Sequence, residues 1–224
     1  DQRLFAKASE CCFGVPEVNY LGHVISANGV AVENSKVQAV LSWPTPKSAK
    51  GVRGFLGLAG YYRKFIKDFG SIATPLHRLV GKAPFSWDSA VETSFQALKQ
   101  ALTTKPTLGL PNWSLPFTIE YDASGVRIRA VLTQNGHPLA YYGAPLKGTI
   151  LTWSTYEKEM LTLVKSVQKW RHYLLGRPFV VKTDHMILKY LLSGLGNPWE
   201  RLRGKISGVS LRLIQLFALR TTRV

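Results

Sequence analysis

Acidic side chains are scarce in the second half of this chain, and they stand at telling positions. Asp122 closes the alternating run Phe117-Thr118-Ile119-Glu120-Tyr121, Glu157 and Glu159 open an amphipathic stretch, and Asp184 follows Phe179-Val180-Val181-Lys182-Thr183. Strand ends and helix starts beside one sheet can bring carboxylates to a common edge. Clustered carboxylates repel one another, so a site that keeps them ionised holds cations, and hard oxygen donors suit Mg²⁺ or Mn²⁺. Two such ions about 4 Å apart support in-line phosphodiester hydrolysis: one generates the hydroxide and the other stabilises the leaving oxygen. Each residue also has a plainer reading. Asp122-Ala123-Ser124-Gly125 is good turn chemistry, and Asp184 would cap a helix. The two glutamates separate by geometry. Ser154-Thr155-Tyr156-Glu157 fits a capping box, in which Glu157 folds back onto the backbone of Ser154. On a helix, Glu157 and Glu159 lie about 160° apart, on opposite flanks of the apolar stripe, so only one can face a given site. Glu157 is assigned to the cap and Glu159 to the metals.

These residues need elements to hold them. Alternation predicts a strand over 117–121, with two more over 128–132 and 139–142 separated by the turn signal Asn135-Gly136. Helical spacing predicts a long helix over 155–175, then a strand over 179–183, a helix over 185–192 and a strand over 210–217. Short loops let the first three strands run antiparallel, and the preceding helix lets the fourth be parallel. The first half differs. Residues 18–32 read as a hairpin, Val18–Ile25 turning at Asn28-Gly29 into Val30–Val32. A helix over 35–43 follows, with Asn34 as its cap and Pro44 and Pro46 beyond its end. Another covers 49–65, burying Val52, Phe55, Leu56, Ala59, Tyr62 and Phe65, and a third covers 89–102. Pro106, Pro111 and Pro116 then punctuate a stretch that reads as an interdomain linker. There is no internal repeat.

The whole chain sets limits. It has 224 residues, 46% of them hydrophobic, which is enough for a packed core. No apolar run is long enough to span a membrane. The net charge is +16 and the isoelectric point about 10.0, a balance that attracts polyanions, nucleic acid foremost. Arg201, Arg203, Lys205, Arg212, Arg220 and Arg223 follow Glu200 with no further acid. The two cysteines, Cys11 and Cys12, are adjacent, a poor geometry for a disulfide, and they lack the spaced partners of a zinc site. A reducing compartment is expected, hence an intracellular setting, cytoplasmic or nuclear. Asp1 as first residue, with methionine only at 160 and 186, reads as a piece of a longer polypeptide.

Several segments in series carry a family resemblance: Tyr20-Leu21-Gly22-His23-Val24-Ile25-Ser26; Trp43-Pro44-Thr45-Pro46 with Arg53-Gly54-Phe55-Leu56-Gly57-Leu58-Ala59-Gly60-Tyr61-Tyr62-Arg63; Asp122-Ala123-Ser124-Gly125; Ser154 to Glu159; Trp170-Arg171-His172-Tyr173-Leu174; and Thr183-Asp184-His185. In this order they resemble the reverse transcriptase–ribonuclease H part of gypsy-type LTR retrotransposon polyproteins, most like those of plants. The resemblance runs to about Gly196. It implies an α/β fold, an RNase H-like mixed sheet with flanking helices, preceded by a small hairpin at the end of the polymerase palm and a helical thumb. It divides the chain at 1–34 (palm end with a primer-grip-like hairpin), 35–115 (thumb and connection) and 116–224 (RNase H-like domain, truncated at its C-terminus). It implies that Asp122, Glu159 and Asp184 are the catalytic, metal-binding carboxylates, with two Mg²⁺ or Mn²⁺ ions in an intact family member. The implied substrate is the RNA strand of an RNA–DNA hybrid, and the implied partner is the rest of the polyprotein. Nucleic-acid contacts are expected from Tyr20, Gly22 and His23 in the hairpin, from Arg53, Arg63 and Lys64 on the thumb, and from Ser124 and His185 beside the carboxylates. The basic face that includes Lys67 is also consistent with simple solvation, and His185 with a helix cap.

The departures are specific. The family's adjacent Asp-Asp pair of the polymerase site is absent. Arg127 and Arg129 stand where the family has glycines after Asp122, and they are expected to crowd the hairpin and occupy its carboxylates. The family's fourth carboxylate, in an Ala-Asp-x-Leu-Ser-Arg segment, has no counterpart after Glu200. Two readings follow: an RNA–DNA hybrid endonuclease with impaired activity, or a remnant of a degraded element that binds nucleic acid without cutting it.

Overall fold

The computed structural model describes residues 7, 9, 11–81, 84–104, 107–177 and 179–182. Asp184, His185, the helix expected at 185–192 and the strand expected at 210–217 lie outside the described residues.

The chain opens with a three-stranded antiparallel meander, β1 (Glu17–Tyr20), β2 (His23–Ser26) and β3 (Gly29–Val32). The single strand expected over Val18–Ile25 is broken at Leu21-Gly22, where φ is +49° and +76°. Two consecutive positive φ values make the tight turn whose twist suits a two-residue hairpin, and Gly22 supplies the second without strain. A Cβ at Gly22 would come within 2.5 Å of the Tyr62 hydroxyl, so the position is closed to larger residues.

Helices follow: α1 (Asn34–Leu41), α2 (Ala49–Tyr61), α3 (Phe69–Ile72), α4 (Thr74–Arg78) and α5 (Ser89–Thr103). Two local expectations are corrected. Glu33, not Asn34, holds the cap position of α1, and it accepts a hydrogen bond from the Ser35 hydroxyl. The helix expected to Phe65 ends at Tyr61, and a 3₁₀ turn over Arg63–Phe65 continues it. Tyr62, 1% exposed, leaves helical geometry as its hydroxyl donates to the Gly22 carbonyl at 3.2 Å. A distant contact thus overrides helix propensity. Phe55 and Phe95, 4.6 Å between ring centroids, sit in a core built from Val52, Ala59, Phe65, Leu76 and Leu98.

Among the described residues, the second half forms a four-stranded mixed sheet: β4 (Phe117–Ala123), β5 (Arg127–Gln134), β6 (His137–Pro145) and β7 (Phe179–Lys182), in the order β6-β5-β4-β7. β4, β5 and β6 pair antiparallel, and β7 joins β4 parallel, as the loop lengths predict. Asn135 and Gly136, both at positive φ, turn β5 into β6. The helix expected over 155–175 is two helices, α6 (Thr155–Lys169) and α7 (Arg171–Leu174), separated at Trp170. Trp170 is buried at 2% exposure and meets Tyr142 edge-on at 6.3 Å. α6 packs on β4 and β5, covering Phe117, Ile119, Tyr121, Ala130 and Leu132 with its own Val167.

The proline-punctuated stretch is pinned, not free. Leu108 exchanges backbone hydrogen bonds with Val30 (2.8 and 2.9 Å), and the Gly109 N–H donates to the Pro138 carbonyl at 2.8 Å. Gln134, 5% exposed, bonds the backbone of Asn112 as donor and acceptor and also donates to the Leu115 carbonyl. A buried amide with its bonds satisfied fixes the path of the chain into β4.

Candidate active site

Asp122 stands one residue before the end of β4, exposed, on the strand face that carries Thr118 and Glu120. Glu120 pairs with Lys182 on the parallel neighbour at 3.5 Å. The turn after β4 is built by Ser124, whose hydroxyl accepts from the Arg127 N–H at 3.2 Å while its own N–H donates to the Arg127 carbonyl at 2.8 Å. Ser124 therefore organises the hairpin that presents Asp122.

Glu157 and Glu159 part as helical geometry requires. Glu157 completes a capping box, accepting from the Ser154 N–H at 2.9 Å while its own N–H donates to the Ser154 hydroxyl at 3.3 Å. Glu159, two residues on, is only 3% exposed, on the part of α6 that packs into the domain. Its neighbour Lys158 is buried too, and its ammonium donates to the Leu151 carbonyl at 2.9 Å. Hard carboxylate oxygens at a strand end and at the start of a buried helix are donor chemistry for Mg²⁺ or Mn²⁺. Among the described residues no group of three potential ligands comes together.

Arg127 and Arg129 do something the sequence did not indicate. Arg129 is the direct cross-strand partner of Asp122, yet its Nε pairs with Asp68 at 3.1 Å. Arg127 donates to the Thr74 hydroxyl. Both arginines reach out of the sheet to the segment around α3 and α4. The hairpin accommodates them in regular register, contrary to the expected crowding. Asp68 and Thr74 had no motif to reveal them; only their placement beside β5 and β6 gives them this part.

Between that segment and the sheet lies a groove of about 800 Å³, whose lining includes Arg63, Lys64 and Lys67 on one side and Glu120, Asp122 and Arg129 on the other. Lys64 is partly buried against Phe65, its ammonium 5.2 Å from the ring centroid, and burial lowers its pKa. Arg53 points elsewhere, toward the Val80 carbonyl at 3.5 Å. In the meander Tyr20 is 61% exposed and open to a partner. Gly22 and His23 face inward. His23 stacks on Tyr61 at 5.6 Å and meets Tyr62 and Phe65 at 5.5 Å each. The Tyr61 hydroxyl donates to the Leu21 carbonyl at 2.9 Å, so two successive tyrosines clamp the turn.

Residues 87–181 match the model of the RNase H-like domain found in reverse transcriptase. The chain is 36% identical, over 95% of its length, to the retrovirus-related Pol polyprotein from transposon 297 of Drosophila melanogaster, and spans 20% of that polyprotein. It is 44% identical, over 51% of its own length and 74% of the relative's, to the uncharacterized mitochondrial protein AtMg00860 of Arabidopsis thaliana. Its fold matches a foamy viral protease-reverse transcriptase solved in complex with an RNA/DNA hybrid, with a TM-score of 0.72, 22% identity, and coverage of 91% of this chain and 28% of that one. Motif order, sheet topology and these relatives agree: the chain carries an RNase H-like domain of the kind found in reverse transcriptase, and its homologues include retrotransposon polyproteins.

Proposed function

We propose that the sheet domain hydrolyses the RNA strand of RNA–DNA hybrids, within a gypsy-type retrotransposon polyprotein, and that Asp122, Glu159 and Asp184 hold the divalent metal it requires. The observation that carries this reading is the split of the two glutamates: Glu157 is consumed by the helix cap, while Glu159 is buried in the helix that packs on the strand bearing Asp122. Mg²⁺ or Mn²⁺, when bound, would activate water and stabilise the leaving oxygen. The chain's own part is positional. The Ser124 turn fixes Asp122, the capping box fixes the first turn of α6 and with it Glu159, and the groove carrying Arg63, Lys64 and Lys67 offers cations to phosphates. Backbone contacts of this kind set register without reading sequence.

The test is cleavage of a labelled RNA–DNA hybrid by the purified chain with Mg²⁺ and then Mn²⁺. Cleavage that disappears in both Asp122→Asn and Glu159→Gln, and survives in Glu157→Gln, is the expected result. The second reading, a domain that binds hybrids without cutting them, is favoured by Arg129 standing directly across from Asp122. Hybrid binding by a folded chain with no cleavage in either metal would establish it and overturn the first.

A further inference from the structure

We propose that Asp68 is a positioning residue for the carboxylate site: it draws the Arg129 guanidinium away from Asp122 and so keeps that carboxylate available to a divalent cation. The inference rests on the metal-binding reading of Asp122.

Asp122 and Arg129 are paired across β4 and β5, on the same face of the sheet. Directly opposed residues in an antiparallel pair have Cβ atoms about 5 Å apart, and opposite charges at that separation attract. An arginine there is a built-in competitor for any cation at Asp122. The structure resolves the competition in favour of a third residue. Arg129 Nε lies 3.1 Å from Asp68 Oδ1, and both residues line the groove that Asp122 also lines.

Asp68 is held for this contact. It stands at the N-cap position of α3 with φ +59°, a left-handed conformation that Asp and Asn tolerate better than most residues, and its side chain makes no capping hydrogen bond. α3 packs on β6, the strand next to β5. Arg127, two positions along the same face of β5, reaches Thr74 in the adjoining helix. The two arginines thus draw the same short helical segment against the sheet.

The Arg129–Asp68 pair is partly open, with side-chain exposures of 46% and 34%. Such pairs contribute little in free energy, so one guanidinium shared between two carboxylates is easily redistributed. A cation at Asp122 would repel Arg129 toward Asp68. By reciprocity, a charge at Asp68 that holds Arg129 favours the cation.

The experiment is titration of the full chain with Mn²⁺, followed calorimetrically, with far-UV circular dichroism confirming the fold of each variant. Asp68→Asn should weaken Mn²⁺ binding about threefold, the scale of a partly exposed ion pair. Asparagine keeps the tolerance of positive φ, so Asp68→Asn removes the charge without straining the backbone. In an Arg129→Gln background, Asp68→Asn should change nothing. If Asp122→Asn leaves Mn²⁺ binding intact, the metal reading fails and this proposal with it. If Asp122→Asn abolishes binding while Asp68→Asn matches the parent, or weakens it equally with and without Arg129, the metal reading stands and this proposal alone is overturned.

Discussion

His23 shows how one side chain answers to its surroundings. Its ring is boxed by Tyr61, Tyr62 and Phe65, and its Nδ1 is buried without a hydrogen-bond partner. Burial, with the Lys64 charge adding to it, lowers its pKa below the usual value of about 6.5. The unfolded chain therefore takes up this proton first as the pH falls. The stability that neutral His23 contributes is full above about pH 6.5 and declines below it, because there the unfolded state binds more protons. His77, also lowered by burial and by Lys147, adds in the same direction. Melting temperatures between pH 8 and pH 5 should fall on the acid side, and His23→Phe should flatten that fall without removing it, since His77 still titrates. An identical pH profile in the variant would show that His23 does not couple to folding. The capping role of Glu157 and the strand-end position of Asp122 were legible at this scale. Asp68 was not, because an isolated aspartate between a basic turn and a short helix carries no signal until its partner is known.

Among the elements, α6 does most to place the candidate site. Its N-terminus is fixed by Ser154 and Glu157, each satisfying a backbone N–H of the other. Ser154→Ala should cost about 1 kcal/mol in urea denaturation, the usual weight of a lost N-cap. It should also lower hybrid cleavage, since fraying of the first turn loosens Glu159 directly after it. Unchanged stability would show that packing on β4 alone holds the helix. The capping box was readable because it is local: four residues and two hydrogen bonds. The ends of α2 and the break at Trp170 were not, because they depend on where Tyr62 and Trp170 find partners. The meander's first turn was missed for a similar reason, since Leu21-Gly22 is a weaker turn signal than Asn28-Gly29.

For the molecule as a whole the net charge of +16 becomes a directed feature. Arg63, Lys64 and Lys67 line one groove with Asp122. Hybrid affinity should fall steeply with salt through counterion release, and Arg63→Gln should weaken binding and reduce the slope of log K against log[salt] by about one. Fluorescence anisotropy between 50 and 200 mM salt, as an order-of-magnitude window for such contacts, checks this. An unchanged slope would place the hybrid off this face. No helix among the described residues is long and apolar enough to cross a membrane.

The motif order, the mixed sheet with its parallel fourth strand, the turn at Asn135-Gly136 and the separation of Glu157 from Glu159 were all written in the order of the residues. Each follows from local periodicity, turn chemistry or capping, which act over a few residues. Contacts between distant segments were needed to pin the proline-rich stretch through Leu108 and Gln134, to turn His23 inward, and to bond Arg127 and Arg129 to Thr74 and Asp68. These depend on residues more than twenty positions apart meeting in space, where the gain in packing and hydrogen bonding outweighs local preference.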